Sequence, residues 1–351
     1  MEEVLRQFRL EGRPLSCERY GEGHINQTYL VVTDKKRYIL QRLSRAAFHD
    51  IPALMRNIAA VTAFLAARSD DPRASLHLVP TVDGALWFRD AAGETWRVYD
   101  FIEDSLCLQA PETAEDFYES GVAFGRFQRL LQDFPAETLT ETVPNFHNTP
   151  DRCRKFHAVL EKDPAHRAAA AAPEIAFYLA HEGEAGALLD LLARGELPLR
   201  VTHNDTKLNN VMLDRRTRRA LCVIDLDTVM PGLVAYDFGD SIRFGASTAA
   251  EDERDLGRVG LNLALYRRFC EGFIPACGGL TKREIETLPL GAKLMTFECG
   301  LRFLTDYLDG DHYFAVARPG HNLDRARTQM KLVQETERRW DEIEAIIRAF
   351  L

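Results

Sequence analysis

Residues 201–227 set two short apolar runs, Val211 to Leu213 and Cys222 to Leu226, on either side of the charged segment Asp214 to Arg219. Runs of this length around a polar turn read as a strand hairpin. The residues with chemical capacity crowd at its ends: His203, Asp205, Lys207 and Asn210 ahead of the first run, Asp225 and Asp227 at the close of the second. Asp205 is placed to accept a hydroxyl proton, and Asn210, five positions on, to hold a metal through its carboxamide oxygen. Asp225, ending a buried run, stands where a second metal-holding carboxylate should come.

The string His203-Asn-Asp205-x4-Asn210 followed by Ile224-Asp225-x-Asp227 has the form of a phosphotransferase catalytic loop, and it resembles the aminoglycoside phosphotransferase and choline kinase superfamily. A closer likeness runs in unbroken order through six segments: Tyr20-Gly-Glu-Gly-His-Ile-Asn26, Arg97-Val-Tyr-Asp-Phe-Ile102, Thr202 to Asn210, Asp225-Leu-Asp-Thr228, Asp237 to Ser247, and Glu298-Cys-Gly-Leu-Arg-Phe-Leu304. Together they are similar to the bacterial N-acetylhexosamine 1-kinases. The resemblance implies an α+β, bilobal, protein-kinase-like fold. A small antiparallel-sheet lobe over 1–102 would bind nucleotide and end in a hinge, and a larger, mainly helical lobe over 103–351 would carry the catalytic loop and a sugar site. The implied reaction moves the γ-phosphoryl of ATP to the 1-hydroxyl of N-acetylglucosamine or N-acetylgalactosamine. Asp205 would orient and deprotonate that hydroxyl, and Asn210 and Asp225 would hold Mg²⁺. Lys207, two residues past Asp205, is placed to meet γ-phosphate charge. Asp227 is open to two readings, a second metal ligand or a sugar ligand. His203 reads as a residue that fixes the loop.

Composition agrees with a small-molecule enzyme. A net charge of −9 and the lack of a long basic run give no electrostatic footprint for nucleic acid or an anionic membrane. The start, Met1-Glu-Glu-Val-Leu-Arg6, is acidic, and no segment reaches the ~18 apolar residues of a membrane span, so a cytosolic chain is expected; a monomer is expected too, though the sequence does not fix the oligomeric state. Seven scattered cysteines with no Cys-x-x-Cys pair read as reduced thiols, mostly buried.

Along the chain, a short helix is expected in 2–10 and strands over 15–20, 27–33, 37–43, 78–81, 85–89 and 96–102. The turn carrying Gly21, Gly23, His24 and Asn26 is the candidate phosphate-covering loop, because glycines let backbone amides approach an anion. A lone Gly-x-Gly is usually a hairpin turn; the catalytic loop further on favours the phosphate role, with His24 or Asn26 touching phosphate or sugar. The protein-kinase plan then breaks. The strand that should deliver a lysine to the phosphates has Gln41 or Arg42 there, and the helix turn that should carry its glutamate partner reads Asn57-Ile-Ala-Ala60. The resembled kinases also lack this lysine, which points to nucleotide held by other means. At Tyr99, Asp100 and Phe101 the resemblance places the hinge, whose backbone would meet adenine.

Beyond residue 113 the pattern turns helical. Thr113-x-x-Asp116 and Thr281-x-x-Glu284 form capping boxes, and helices are expected over 151–163, 173–193, 251–273, 281–308 and 324–350. Asp237 and Asp240 open another helix and read as caps for its free amides rather than as metal ligands; the resemblance implies that Asp237 braces the catalytic loop. Glu298, Arg302 and Asp306 fall four apart, a spacing that by itself describes an exposed ion-pair ladder. The resemblance instead assigns Arg302 and Tyr313 to the N-acetyl sugar. The competing assignments are a kinase for an aminoglycoside, choline or homoserine, for which Asp306, Asp309 and Asp311 would form an acidic acceptor pocket, or a catalytically silent nucleotide- or sugar-binding module.

Overall fold

Period-two alternation organises the first third of the chain. In the computed structural model, which describes residues 1–21, 25–45 and 47–351, β1 (Pro14–Arg19), β2 (Gln27–Thr33), β3 (Arg37–Arg42), β4 (Phe88–Arg89) and β5 (Thr95–Asp100) form one sheet. The strand order is β1-β2-β3-β5-β4 and every pairing is antiparallel. Val31, Tyr38, Leu40, Trp96 and Val98 point to one face, where they pack with Val4, Leu5 and Phe8 of the N-terminal segment. Ile39 and Tyr99 belong to the core on the other side, with Leu54, Ile58 and Val61 of the helix α2 (Ile51–Ala66). Asp50 caps α2 by accepting the Ala53 amide. The expected strand at 78–81 is reduced to isolated bridges, Leu78 to Tyr99 and Thr81 to Phe8, and the one at 85–89 to the two residues of β4.

The remainder is mainly helical, and two small sheets interrupt it. The expected hairpin is present as β8 (Val211–Asp214) and β9 (Ala220–Val223), with β6 (Ser105–Cys107) along the outer edge of β8. The other small sheet pairs β7 (Arg200–Thr202) with β10 (Met230–Gly232). A helix over Ala114–Leu130 starts at the Thr113/Asp116 capping box, and a 28-residue helix, Lys282–Asp309, starts at the Thr281/Glu284 box. Gly121 and Gly125 of the first of these lie so close to the helix Leu263–Cys277 that an added Cβ would meet backbone at 2.6 and 2.5 Å.

Three helix expectations shift. The one at 251–273 begins only at Leu263, where Asn262 accepts the Ala264 and Leu265 amides. Upstream of it, Gly257 and Gly260 lie in a stretch with only one 3₁₀ turn, Leu256–Arg258. The expected helix at 324–350 divides into His321–Arg338 and Trp340–Arg348 at Arg339, and the one at 173–193 into Ala172–His181 and Ala187–Ala193. No disulfide forms; Cys153, Cys222, Cys270 and Cys277 are buried thiols, and Cys107 is exposed. No described helix is long and apolar enough to cross a membrane.

Candidate active site

The catalytic-loop residues occupy the turn between β7 and β8, and backbone bonds define their geometry. Asn204 takes a left-handed conformation, φ 66°, which turns the chain so that Asp205 points out of the loop. The helix Val234–Gly245 braces that turn from below. Asp237 accepts the His203 and Asn204 amides at 2.9 and 2.8 Å, and Asp240 accepts the Thr206 amide at 3.0 Å. Thr206 and Ser241 close the same contact through their hydroxyls. His203 is fully buried. Its Nδ1 accepts the Asp205 amide at 3.3 Å and its Nε2 reaches the Ile224 carbonyl at 2.8 Å, so it ties the loop to the residue before Asp225.

Three carboxylates converge on the cleft above this loop, and they differ in what neutralises them. Asp205 meets Lys207 Nζ at 2.7 Å through one oxygen and Asn210 Nδ2 at 3.0 Å through the other. Burial alone would raise its pKa; the Lys207 charge and hydrogen bond outweigh that and hold it below the usual carboxylate value. The same attraction raises Lys207 despite its burial. Asp227 is 4% exposed and fully engaged: Oδ1 accepts from Arg97 Nη1 at 2.5 Å and Oδ2 from Asn26 Nδ2 at 2.5 Å. Asp225 accepts no hydrogen bond among the described residues, sits in the left-handed region at φ 58° and opens to the cleft. Desolvation, then Asp227 and Asp205, push its carboxyl up to about 7, against the lowering charges of Arg97 and Lys207.

Asp225 is therefore the acid of the three with no paired cation among the described residues. The Asn210 amide nitrogen is spent on Asp205, at its carbonyl as well as its carboxylate, which turns the carboxamide oxygen away from Asp205. The Asn210 carbonyl also accepts the Ile224 amide at 2.9 Å, holding the Asn210 and Asp225 backbones together. Two hard oxygen donors that accept no hydrogen bond among the described residues suit Mg²⁺, which takes one or two protein ligands and leaves its other positions to phosphates and water. No larger cage of three or more His, Cys, Asp or Glu ligands gathers among the described residues.

The other expected contacts divide. Gln41 accepts Arg97 Nε and Nη2 at 2.9 and 2.7 Å and donates to Thr28, so its side chain is committed inside the sheet. Arg42 approaches Glu94, at 3.9 Å. Asn57, at the position of the missing glutamate, clamps the Thr140 amide and carbonyl and the Val229 carbonyl. Asp100 and Phe101 donate their amides to the His77 and Arg37 carbonyls at 3.0 and 3.1 Å. These two expected adenine donors are thus occupied, and the Phe101 ring lies under the Arg37 guanidinium at 4.2 Å. The Tyr99 hydroxyl is buried without a hydrogen-bond partner among the described residues. Gly21 adopts φ 71° with open space around it; Gly23 and His24 lie outside the described residues.

Glu298, Arg302 and Asp306 do not form a ladder. Asp306 accepts the His312, Tyr313 and Phe314 amides and Asn322 Nδ2, all at 2.8–2.9 Å. Asp311 binds Arg167 and Asn322. Glu298 is 1% exposed and takes His147 Nδ1 at 2.9 Å and the Thr149 hydroxyl at 2.7 Å. Burial would raise its pKa, but His147 and then Arg302 and Thr149 hold it low. The far side of His147 reaches the Asn204 carbonyl at 3.3 Å, which fastens this cluster to the catalytic loop. Arg302 hangs among the Phe146, Tyr313 and Phe314 rings, 5.3–5.7 Å from their centres, and reaches the Tyr313 hydroxyl at 3.5 Å. Beside it, Arg152 donates to the Phe146 carbonyl while its buried Nε has no partner among the described residues. Burial and the Arg302 charge lower the Arg152 pKa.

Arg97, His147 and Arg152 were not singled out from the sequence. A charged residue in the middle of Thr95-Trp-Arg-Val-Tyr-Asp100 was the available signal for Arg97. His147 and Arg152 lie in or beside a polar helix start, where no periodicity marks them.

Comparison with known proteins bears on the family and the fold. A family model described as "Phosphotransferase enzyme family" matches residues 16–271. Among solved structures, a microcompartment-associated aminopropanol kinase aligns with a TM-score of 0.60 and 17% identity, over 98% of this chain and 97% of its own. An aminoglycoside phosphotransferase from Alicyclobacillus acidocaldarius aligns with a TM-score of 0.63 and 14% identity, over 99% and 96%. An ethanolamine kinase from Plasmodium vivax aligns with a TM-score of 0.57 and 14% identity, over 90% and 82%. At these identities the likeness is one of fold: an antiparallel-sheet N-terminal lobe joined to a mainly helical C-terminal part, in the protein-kinase-like arrangement.

Proposed function

The chain belongs to the phosphotransferase enzyme family, and on that premise we propose that it is an ATP-dependent anomeric kinase for N-acetylhexosamines. Residues 1–102 would hold the nucleotide and 103–351 the acceptor. The observation that carries the acceptor class is the charge of the acceptor side. Of the acids that could attract an amino alcohol or aminoglycoside, Asp306 and Asp311 are spent on backbone amides, Asn322 and Arg167, and Asp309 is exposed at the end of its helix. What remains beside the catalytic loop is Arg302, Arg152 and the Tyr313 and Phe146 rings, a lining suited to a neutral, hydroxyl-rich molecule with an amide carbonyl. The solved relatives are named as kinases of aminopropanol, aminoglycosides and ethanolamine; those acceptors carry an amine, for which this lining is a poor match.

In this reading Asp205 takes the O1 proton as O1 attacks the γ-phosphorus. The O1–P bond forms, the bridging β–γ P–O bond breaks, and its electron pair leaves on ADP. An anomeric hydroxyl is more acidic than an ordinary alcohol, so a carboxylate held at low pKa by Lys207 suffices as the base. Lys207 faces the phosphoryl charge as it develops. Bound between Asn210 and Asp225, a Mg²⁺ ion would supply charge neutralisation at the β and γ phosphates. The Arg97 cation weakens the case for a silent module, because the strand lysine has a stand-in within the sheet.

The test is ³¹P NMR of the protein with MgATP and N-acetylglucosamine or N-acetylgalactosamine. A doublet coupled to the anomeric proton is expected. Turnover of ethanolamine, choline, homoserine or an aminoglycoside in its place would replace the acceptor class, and no turnover of any acceptor would favour the silent module.

A further inference from the structure

Gln41 and Arg97 are register partners across β3 and β5. The Gln41 carbonyl oxygen receives two of the Arg97 nitrogens, which aims the third, Nη1, out of the sheet at Asp227. Arg97 is 1% exposed, and its guanidinium also lies 5.1 Å from the centre of the Tyr99 ring. Asn26 completes the set: Nδ2 donates to the second Asp227 oxygen, and Oδ1 accepts the Ser44 amide at 3.0 Å. Arg97 of β5 and Asn26, the residue before β2, thus converge on a single carboxylate two residues past Asp225, with Gln41 of β3 holding Arg97. The turn Leu226–Thr228 that carries Asp227 starts from the left-handed Asp225, so fixing Asp227 fixes the direction of the Asp225 carboxylate. At the other end of the turn, Thr228 donates to the His203 carbonyl at 2.7 Å.

We infer that Arg97 is the positioning cation of this phosphotransferase: through Asp227 it sets the Asp225 carboxylate for the metal–nucleotide complex, as the replacement for the strand lysine. Asp227 is then the anchor of the sheet, and neither a second metal ligand nor a sugar ligand. The inference rests on the reading of the chain as an ATP-using kinase, but not on which acceptor it uses.

A single Arg97→Met change would strand a buried carboxylate and could unfold the chain, whereas replacing both partners of a buried ion pair by apolar groups is often neutral for stability. The informative variant is therefore Arg97→Met with Asp227→Leu, beside Arg97→Lys, which keeps the charge but loses the fork. Binding of MgATP and of ATP in EDTA, both without acceptor, is measured by calorimetry, with the melting temperature as the folding control. The expected result is a double variant that melts near the wild type, binds MgATP at least tenfold more weakly, and binds metal-free ATP within about twofold of the wild type, with Arg97→Lys intermediate for MgATP. A folded double variant with wild-type MgATP affinity would overturn the inference and leave the kinase reading intact. Equal losses with and without metal would also overturn it, because the pair would then act on the nucleotide or the fold and not through Asp225. A wild-type chain that binds no MgATP would remove the kinase reading itself, and this inference with it.

Discussion

At the scale of single residues, the chemistry assigned to Asp205 and Asp225 predicts losses that folding cannot explain. Asp205→Ala removes the proposed base and Asp225→Ala the proposed metal-holding carboxylate; each should cost ~10²–10⁴ in turnover with little change in melting temperature, read by coupled ADP release beside a thermal scan. Glu298 makes the opposite kind of prediction. It is 1% exposed, and its pKa is held below the ordinary 4.5 by His147 after burial has been overcome. The stability it contributes is complete above about pH 4.5 and disappears as pH falls through its lower folded value. Glu298→Gln should cost ~1.5–3 kcal/mol near neutrality, and its deficit should shrink in urea melts below pH 4.5. A deficit that is constant with pH would mean that the charge on Glu298 does not matter. These two cases also mark what a sequence can disclose. Asp205 and Asn210 are legible because five positions hold both. Arg97 meets Gln41 and Asp227 from 56 and 130 positions away, and His147 meets Glu298 from 151, distances at which no local pattern forms.

At the scale of elements, the catalytic loop is only as well placed as the helix Val234–Gly245 beneath it. That helix lies on Lys282–Asp309 through Gly239 and Gly291, where an added Cβ would stand 2.3 Å from the Gly291 and Ala235 carbonyls. Backbone cannot yield as a side chain can, so Gly291→Ala must push the helix outward and carry Asp237 and Asp240 with it. Overpacking of this kind costs ~1–3 kcal/mol. Turnover should fall further than stability alone requires, since the amides of His203, Asn204 and Thr206 lose their acceptors together. Gly183→Ala, with open space around it, is the control and should stay within about 0.5 kcal/mol. Elements whose signals are chemical are readable in the sequence: both capping boxes start helices, and the strand-like runs at 27–33, 37–43 and 96–102 correspond to β2, β3 and β5. Those that failed did so where competing signals were local. Gly257 and Gly260 sit ahead of the Asn262 cap, and the break at Arg339 has no proline or glycine to announce it.

At the scale of the molecule, the polar contacts among the described residues that hold the five-stranded sheet and α2 to the catalytic segment include Asp227 with Arg97 and Asn26, and Asn57 with the Val229 carbonyl. The expected nucleotide site lies along this seam, so a ligand bound there should stabilise both parts at once. A ligand that binds only the folded chain, at a hundred times its Kd, contributes ~2.7 kcal/mol, which for a chain of 351 residues amounts to a rise of roughly 3–6 °C in Tm. If Asp225 owes its exposed, uncompensated charge to metal binding, the rise should need the metal as well as the nucleotide. MgATP should then give the full shift, ATP in EDTA much less, and Mg²⁺ alone little, because two protein oxygens without phosphates make a weak site. Equal shifts for ATP with and without metal would detach Asp225 from the nucleotide, and the three-carboxylate cleft would need another explanation.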